Sequence, residues 1–271
     1  MVDMANAAQL TTTAVLEVLG TTPVTLRPLD AVARSGGSFA VEMSSSSTSV
    51  TVSDWWHSRS KHPAPLVFDT QRRSALHQAL ASHFPALLPP AILRGWSRSP
   101  IASLGDASTA SSSGLAFHRH ERSWLVLLTG RKRWYFCCGS APNTALARVP
   151  EEELLRVEQN KSNAHMESGS CELYTYEQLP GDCVLVPDGV WHCTYSVPTE
   201  DSEGLAFGYG GLGMCADEVE YSAATSDLAS LQQAPNLEER QAAIARVAAE
   251  QGQLMVLQWL ADVYGGDAPL G

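Results

Sequence analysis

The chain is short of basic charge. Its 271 residues carry 18 Lys and Arg against 29 Asp and Glu, a formal net charge of −11. Phosphate-backbone binding needs clustered Lys and Arg, so a broad nucleic-acid interface is excluded. Long apolar runs are missing too: no stretch reaches the roughly 20 residues that a membrane-spanning helix requires. The first 25 residues hold Asp3 and Glu17 but no Lys or Arg. The basic start of a secretory leader is thus lacking, and a cytoplasmic or nuclear protein is expected. No C-x-x-C pair occurs among Cys137, Cys138, Cys171, Cys183, Cys193 and Cys215. The cysteines read as reduced core residues, with a vicinal Cys137–Cys138 bridge or a zinc site as the alternatives. No internal repeat is visible. Disorder of the whole chain is excluded by 44% hydrophobic residues and seven Trp, and the length suffices for a core without disulfide staples.

What is present divides into an N-terminal mixed region (1–64), a β-rich barrel (65–215) and a C-terminal helical cap (216–271). The Ser-rich stretch Ser44–Ser47 reads as a loop. Gln71–Phe84 has helical spacing, with Leu76, Leu80 and Phe84 four apart and Asp69 and Thr70 as N-cap residues. Trp55 and Trp56 read as partly core or as a docking surface.

Strand-like runs follow at Gly114–Phe117, Trp124–Thr129, Arg133–Cys138, Cys171–Tyr176, Cys183–Pro187, His192–Val197 and Leu205–Tyr209. Turn residues separate them, which predicts a mainly β fold of sandwich or barrel type with flanking helices. Ala141–Ser170, containing a short helix at Glu151–Gln159, and parts of Ser97–Ser113 are expected to be loops. Near the C-terminus Asn236 and Glu239 resemble a capping box. They open a helix that Gly252 weakens or kinks and Gly265–Gly266 ends. It packs on the barrel or forms a homodimer interface.

Three histidines carry the chemistry. His118 and His120 lie two apart in a strand-like context, where side chains i and i+2 share a face. His192 follows the turn Pro187-Asp188-Gly189 in the segment Gly181–Ser196. Three neutral imidazoles meeting at one point suit iron, zinc, copper or nickel and leave positions open for substrate or water. The less specific readings are an incidental His-x-His pair and a polar tip on a barrel rim.

Gly181–Ser196 reads G-x5-P-x-G-x2-H-x3-S and resembles the second cupin motif, with Ser196 where Asn is usual. Phe117–Trp134, with His118-Arg119-His120 and Gly130-Arg131-Lys132-Arg133-Trp134, resembles the first half of a JmjC domain. The resemblance covers about residues 65 to 213, including Leu66–Asp69, and is nearest to the branch of JmjC proteins carrying His-x-His. It implies a double-stranded β-helix (cupin, jelly-roll) barrel with Fe(II) and 2-oxoglutarate. His118 and His192 match the family's metal-ligating histidines, and His120 stands at the third ligand position. Lys132 matches the lysine that binds the distal carboxylate of 2-oxoglutarate. Ser123, Thr194 and Ser196 would line the cosubstrate pocket. Some of this branch is luminal in the endoplasmic reticulum.

Two positions depart from the pattern: His120 replaces the usual Asp or Glu, and Leu115 replaces a hydroxyl residue. Three readings follow in order. The first is an Fe(II)/2-oxoglutarate-dependent oxygenase hydroxylating a protein side chain. The second is a catalytically silent JmjC-like metal-binding adaptor that acts through a protein partner. The third is a three-histidine cupin dioxygenase acting on a small molecule, which accounts for His120 but not for Lys132.

Overall fold

Runs rich in Val, Leu, Phe and Trp become strands because branched and aromatic side chains pack well on a pleated surface. The structure, a computed structural model, describes residues 10–26, 48–59, 66–70, 74–83, 97–107, 114–138, 154, 172–198, 204–215 and 217–264. The N-terminal part holds α1 (Thr12–Leu19), β1 (Pro23–Leu26), β2 (Thr48–Thr51) and α2 (Val52–Ser58). Next come β3 (Leu66–Asp69), α3 (Ala75–His83) and β4 (Ser97–Asp106). Seven strands follow: β5 (Gly114–His118), β6 (Ser123–Thr129), β7 (Lys132–Cys138), β8 (Glu172–Gln178), β9 (Cys183–Val186), β10 (Trp191–Ser196) and β11 (Leu205–Met214). The last elements are α4 (Glu218–Thr225), α5 (Leu228–Gln233), α6 (Leu237–Glu250) and α7 (Leu254–Tyr264).

One sheet has the order β5-β10-β7-β8, the other β3-β4-β11-β6-β9. From β4 to β11 the chain changes sheet at every step except between β7 and β8. All pairings are antiparallel. This is the double winding of a jelly roll. The fold is therefore mainly β with flanking helices, as the strand runs predict.

Burial follows the sheet faces. Every residue of β6 is buried, and its continuous apolar run serves two cores. Trp124, Val126 and Leu128 join Val15, Leu19, Trp55 and Leu76 of α1, α2 and α3. Leu125 joins Ile101, Trp134, Val184 and Val186. Phe117, Tyr135, Cys193 and Tyr195 form a third core on the opposite side of the smaller sheet. The C-terminal helices hold their own core around Ile244, Val247, Val256 and Leu260.

Several expectations are corrected. Ser97–Asp106 is strand β4, not loop. Pro100 is tolerated there because β3 pairs only with residues 102–105 and asks no ladder hydrogen bond of it. Asp69 ends β3; Ser74 instead accepts the His77 N–H at 3.2 Å and opens α3. Asn236 adopts left-handed backbone, φ 55°, and makes no side-chain cap bond. The single kinked C-terminal helix is two helices, because Gly252 at φ 64° breaks the ladder between α6 and α7. Trp55 and Trp56 are buried, which removes the docking surface. Cys137 is disulfide-bonded, and Cys138 and Cys183 are exposed free thiols, whereas Cys193 and Cys215 are free and buried as expected. Ser44–Ser47, Gly265–Gly266 and Ala141–Ser170 apart from Leu154 lie outside the described residues. No described helix is long and apolar enough to cross a membrane.

Candidate metal centre

His118 ends β5 and His192 lies in β10, and antiparallel pairing sets them directly opposite each other. Their ring centroids are 4.3 Å apart. The ring of His120 is 5.3 Å from that of His118 and 4.7 Å from that of His192. One ring nitrogen from each residue lies within 4.8 Å of the other two. Strand alternation alone does not bring His120 in, since β5 ends at His118. The turn after β9 holds it: the Gly189 N–H donates to the His120 carbonyl at 2.9 Å. The Asp188 carboxylate accepts the Arg122 backbone N–H at 2.8 Å and its guanidinium at 3.1 Å.

Two backbone carbonyls fix the tautomers. Nδ1 of His192 lies 2.9 Å from the Val190 oxygen, and Nδ1 of His120 lies 2.5 Å from the Glu121 oxygen. A carbonyl only accepts, so each Nδ1 carries the proton and each Nε2 is the unprotonated nitrogen. Burial lowers the pKa of His120. Burial first, then the neighbouring His118 and His120, hold His192 well below its ordinary value. Neutral imidazoles crowded together with lone pairs to offer are a donor set that a divalent transition metal satisfies.

Lys132 is the second feature. It is 3% exposed, and its Nζ donates to Ser103 Oγ at 3.0 Å. Burial lowers its pKa from 10.5 to about 8. Its neighbours Arg131 and Arg133 point the other way and pair with Glu177 at 3.2 and 3.3 Å. Among the described residues no ion pair reaches Lys132, although a buried ammonium needs an anion. The three histidines, Lys132, Ser123 and Thr194 line one cavity with Ser103, Leu115, Phe68, Ile101, Leu125, Trp124 and Trp134. Ser196 is fully buried in β10 and pairs with Lys132 across to β7.

Sequence reading missed Ser103, because Ser-Pro-Ile-Ala-Ser carries little strand signal; only the alternation of Ile101 and Ser103 hints at a shared face. Leu115 shares the cavity with His118 through an extra residue in β5, where the register against β10 shifts between His192 and Thr194, which period-2 counting cannot anticipate. Trp124 forms a wall because Gly211 lets its indole approach: a Cβ there would lie 2.6 Å from Nε1. That Nε1 donates to Ser97 Oγ at 2.7 Å.

No family model matches this sequence. A search of curated proteins also finds no match. Alignments to solved structures include the Escherichia coli ribosomal oxygenase YcfD, at 19% identity over 61% of this chain and 36% of that one, TM-score 0.30. They also include the Drosophila melanogaster CENP-C cupin domain, at 6% identity over 42% and 59% of the chains, TM-score 0.24. A third is peruvianin-I, a cysteine peptidase from Thevetia peruviana latex, at 14% identity over 43% and 50%, TM-score 0.25. This chain thus spans between about a third and three fifths of these structures.

Proposed function

We propose that this protein is a JmjC-like Fe(II)/2-oxoglutarate-dependent oxygenase that hydroxylates a protein side chain. The observation that carries this reading is Lys132, a buried ammonium with Ser103 as its hydrogen-bond acceptor, lining the same cavity as three convergent histidines. His118, His120 and His192 would hold a ferrous ion, which together with 2-oxoglutarate would supply oxygen activation.

The chain's own residues do the rest. Lys132 binds the distal carboxylate by charge and hydrogen bond, and Ser103 aims the ammonium. Thr194 and Ser123 offer hydroxyls to the cosubstrate, and Ser196 packs beside Lys132. Ile101, Leu115, Leu125 and Trp134 keep water out, which strengthens each polar contact inside. The carbonyls of Val190 and Glu121 hold the proton on Nδ1 of His192 and His120, so Nε2 is the nitrogen each would offer to a metal.

His120 favours a second reading, a three-histidine cupin dioxygenase without 2-oxoglutarate, because a neutral imidazole stands where an oxygenase of this kind has a carboxylate. A silent adaptor is the other alternative.

The test is anaerobic titration of the purified chain with Fe(II) and 2-oxoglutarate, followed by the metal-to-ligand charge-transfer band. A saturable band that Lys132→Ala abolishes is expected, with succinate forming once a substrate is supplied. Bound iron without the band overturns the oxygenase reading and leaves the other two.

A further inference from the structure

Gln178 of β8 is completely buried and stands directly across from Lys132 of β7. Its side-chain oxygen accepts the Trp134 indole N–H at 2.8 Å. Its Nε2 donates to the Leu125 carbonyl at 2.8 Å and to the Asp182 carbonyl at 3.0 Å. Carbonyls only accept and an indole N–H only donates, so these contacts allow the amide a single orientation. Leu125 belongs to β6 of the opposite sheet, so one side chain ties Trp134 to both sheets.

The indole so held is a wall of the cavity. Lys132, Trp134 and Phe136 share one face of β7 and stand opposite Ser196, Thr194 and His192 of β10. Trp134 therefore occupies the rung between the ammonium and the histidine. The outer two rungs are separated by about 13 Å of strand. The Trp134 ring lies parallel to that of Phe136, with 4° between the planes, and stacks on His192 with centroids 5.9 Å apart. A buried indole N–H deprived of its acceptor is costly, so the ring would turn to find another.

We infer that Gln178 is a positioning residue of this site: its amide oxygen seats the Trp134 indole, and the seated indole fixes the length of dicarboxylate that fits between Lys132 and the histidines. This deepens the oxygenase reading and rests on it for the ligand. The two ends of the amide have separate tasks. The oxygen seats Trp134, whereas Nε2 clasps β6 and the turn before β9.

The experiment uses the full chain. In isotope-labelled, metal-free protein, solvent exchange of the Trp134 indole N–H is followed, with Trp134→Phe identifying the resonance. Gln178→Leu should speed this exchange at least about tenfold. Gln178→Glu keeps an acceptor for the indole and loses donors to the two carbonyls, so exchange should stay within about threefold of wild type. A merely structural clasp predicts the reverse, because a carboxylate would face two carbonyls. Calorimetric titration of the Zn(II)-loaded chain then compares 2-oxoglutarate with 2-oxoadipate, which is one methylene longer. Wild type should prefer 2-oxoglutarate at least about tenfold, and Gln178→Leu should cut that preference at least about threefold. In a Trp134→Phe background Gln178→Leu should change the preference no further, because the amide acts through the indole.

Rapid indole exchange in Gln178→Glu, an unchanged preference in Gln178→Leu, or losses that multiply in the double variant each overturn the inference and leave the oxygenase reading standing. Wild type that binds neither acid overturns that reading and the length role with it, while indole exchange still decides the seat. Circular dichroism checks folding, and Gln178→Met, with a straight side chain of similar length, replaces Gln178→Leu if that variant does not fold.

Discussion

At the scale of the residue, Lys132 would connect stability with the proposed cosubstrate binding. It is one of three lysines in the chain and is buried against Ser103. Holding an ammonium there costs free energy until an anion arrives. Lys132→Met removes the charge and keeps the stem. In the absence of ligand the variant is expected to resist urea better by about 2 kcal/mol at pH 7, while 2-oxoglutarate binding weakens at least about tenfold. Burial lowers the lysine from 10.5 to about 8, so between those values the unfolded chain holds a proton that the folded chain has lost. Wild-type stability therefore rises with pH across this window, and the advantage of Lys132→Met shrinks there. Ligand binding moves the opposite way. Only the ammonium attracts the carboxylate, so affinity is expected to be flat below about pH 8 and to fall about tenfold per unit above it. Calorimetric titration from pH 7 to 10 checks this, and a profile without a break near 8 would show that Lys132 is not the anion's partner.

At the scale of the element, the turn from Pro187 to Gly189 positions a histidine it does not contain. Asp188 holds Arg122 through two hydrogen bonds, and Gly189 holds the carbonyl of His120. Asp188→Ala leaves all three histidines in the chain but frees the segment that carries one of them. Metal affinity, measured by competition with a chelator, is expected to fall about tenfold, with a smaller loss for Asp188→Asn. Strand β11 shows a similar dependence. A Cβ at Gly211 would lie 1.9 Å from Ser97 Oγ and 2.6 Å from Trp124 Nε1, and the indole is a wall of the cavity. Gly211→Ala should cost about 1–3 kcal/mol in urea unfolding and weaken cosubstrate binding as Trp124 moves. Such couplings explain what was legible. Periodicity and turns suffice for β6, β7 and β10, where apolar runs end at Gly or Pro. They fail for β4, whose Ser, Pro and Gly conceal a strand held by β11 and β3 from distant parts of the chain. The capping reading of Asn236 failed for a related reason. Residue type suggests a cap, but the path from α5 requires left-handed backbone at that position.

At the scale of the whole molecule, the site depends on both sheets being brought face to face. The histidines come from β5, the segment after it and β10, while Ser103 comes from β4 and Ser123 from β6 of the opposite sheet. Sequence alone singles out the histidines by their spacing and Lys132 by the family resemblance of its segment, since each lies in a short stretch with its own turn chemistry. It could not identify Ser103, whose meeting with Lys132 spans 29 positions and depends on the jelly-roll winding. The same assembly would make metal binding a property of the folded state: once the sheets separate, the three imidazoles no longer converge. A metal that binds the native protein and not the unfolded chain stabilises it by about 2.7 kcal/mol at a hundredfold excess over its Kd. For a domain of this size that corresponds to a rise in Tm of about 5–10 °C. Calorimetry of the metal-stripped chain with and without Zn(II) or Fe(II) should show the shift, chelator should reverse it, and His192→Ala should abolish it. Because His192 and His118 join β10 to β5 within one sheet while Lys132 meets Ser103 across the cavity, adding 2-oxoglutarate to the metal-loaded protein should raise Tm again. Lys132→Met should lose this second increment alone. Losing both increments together would show that metal and anion occupy a single coupled site in which Lys132 also supports the triad.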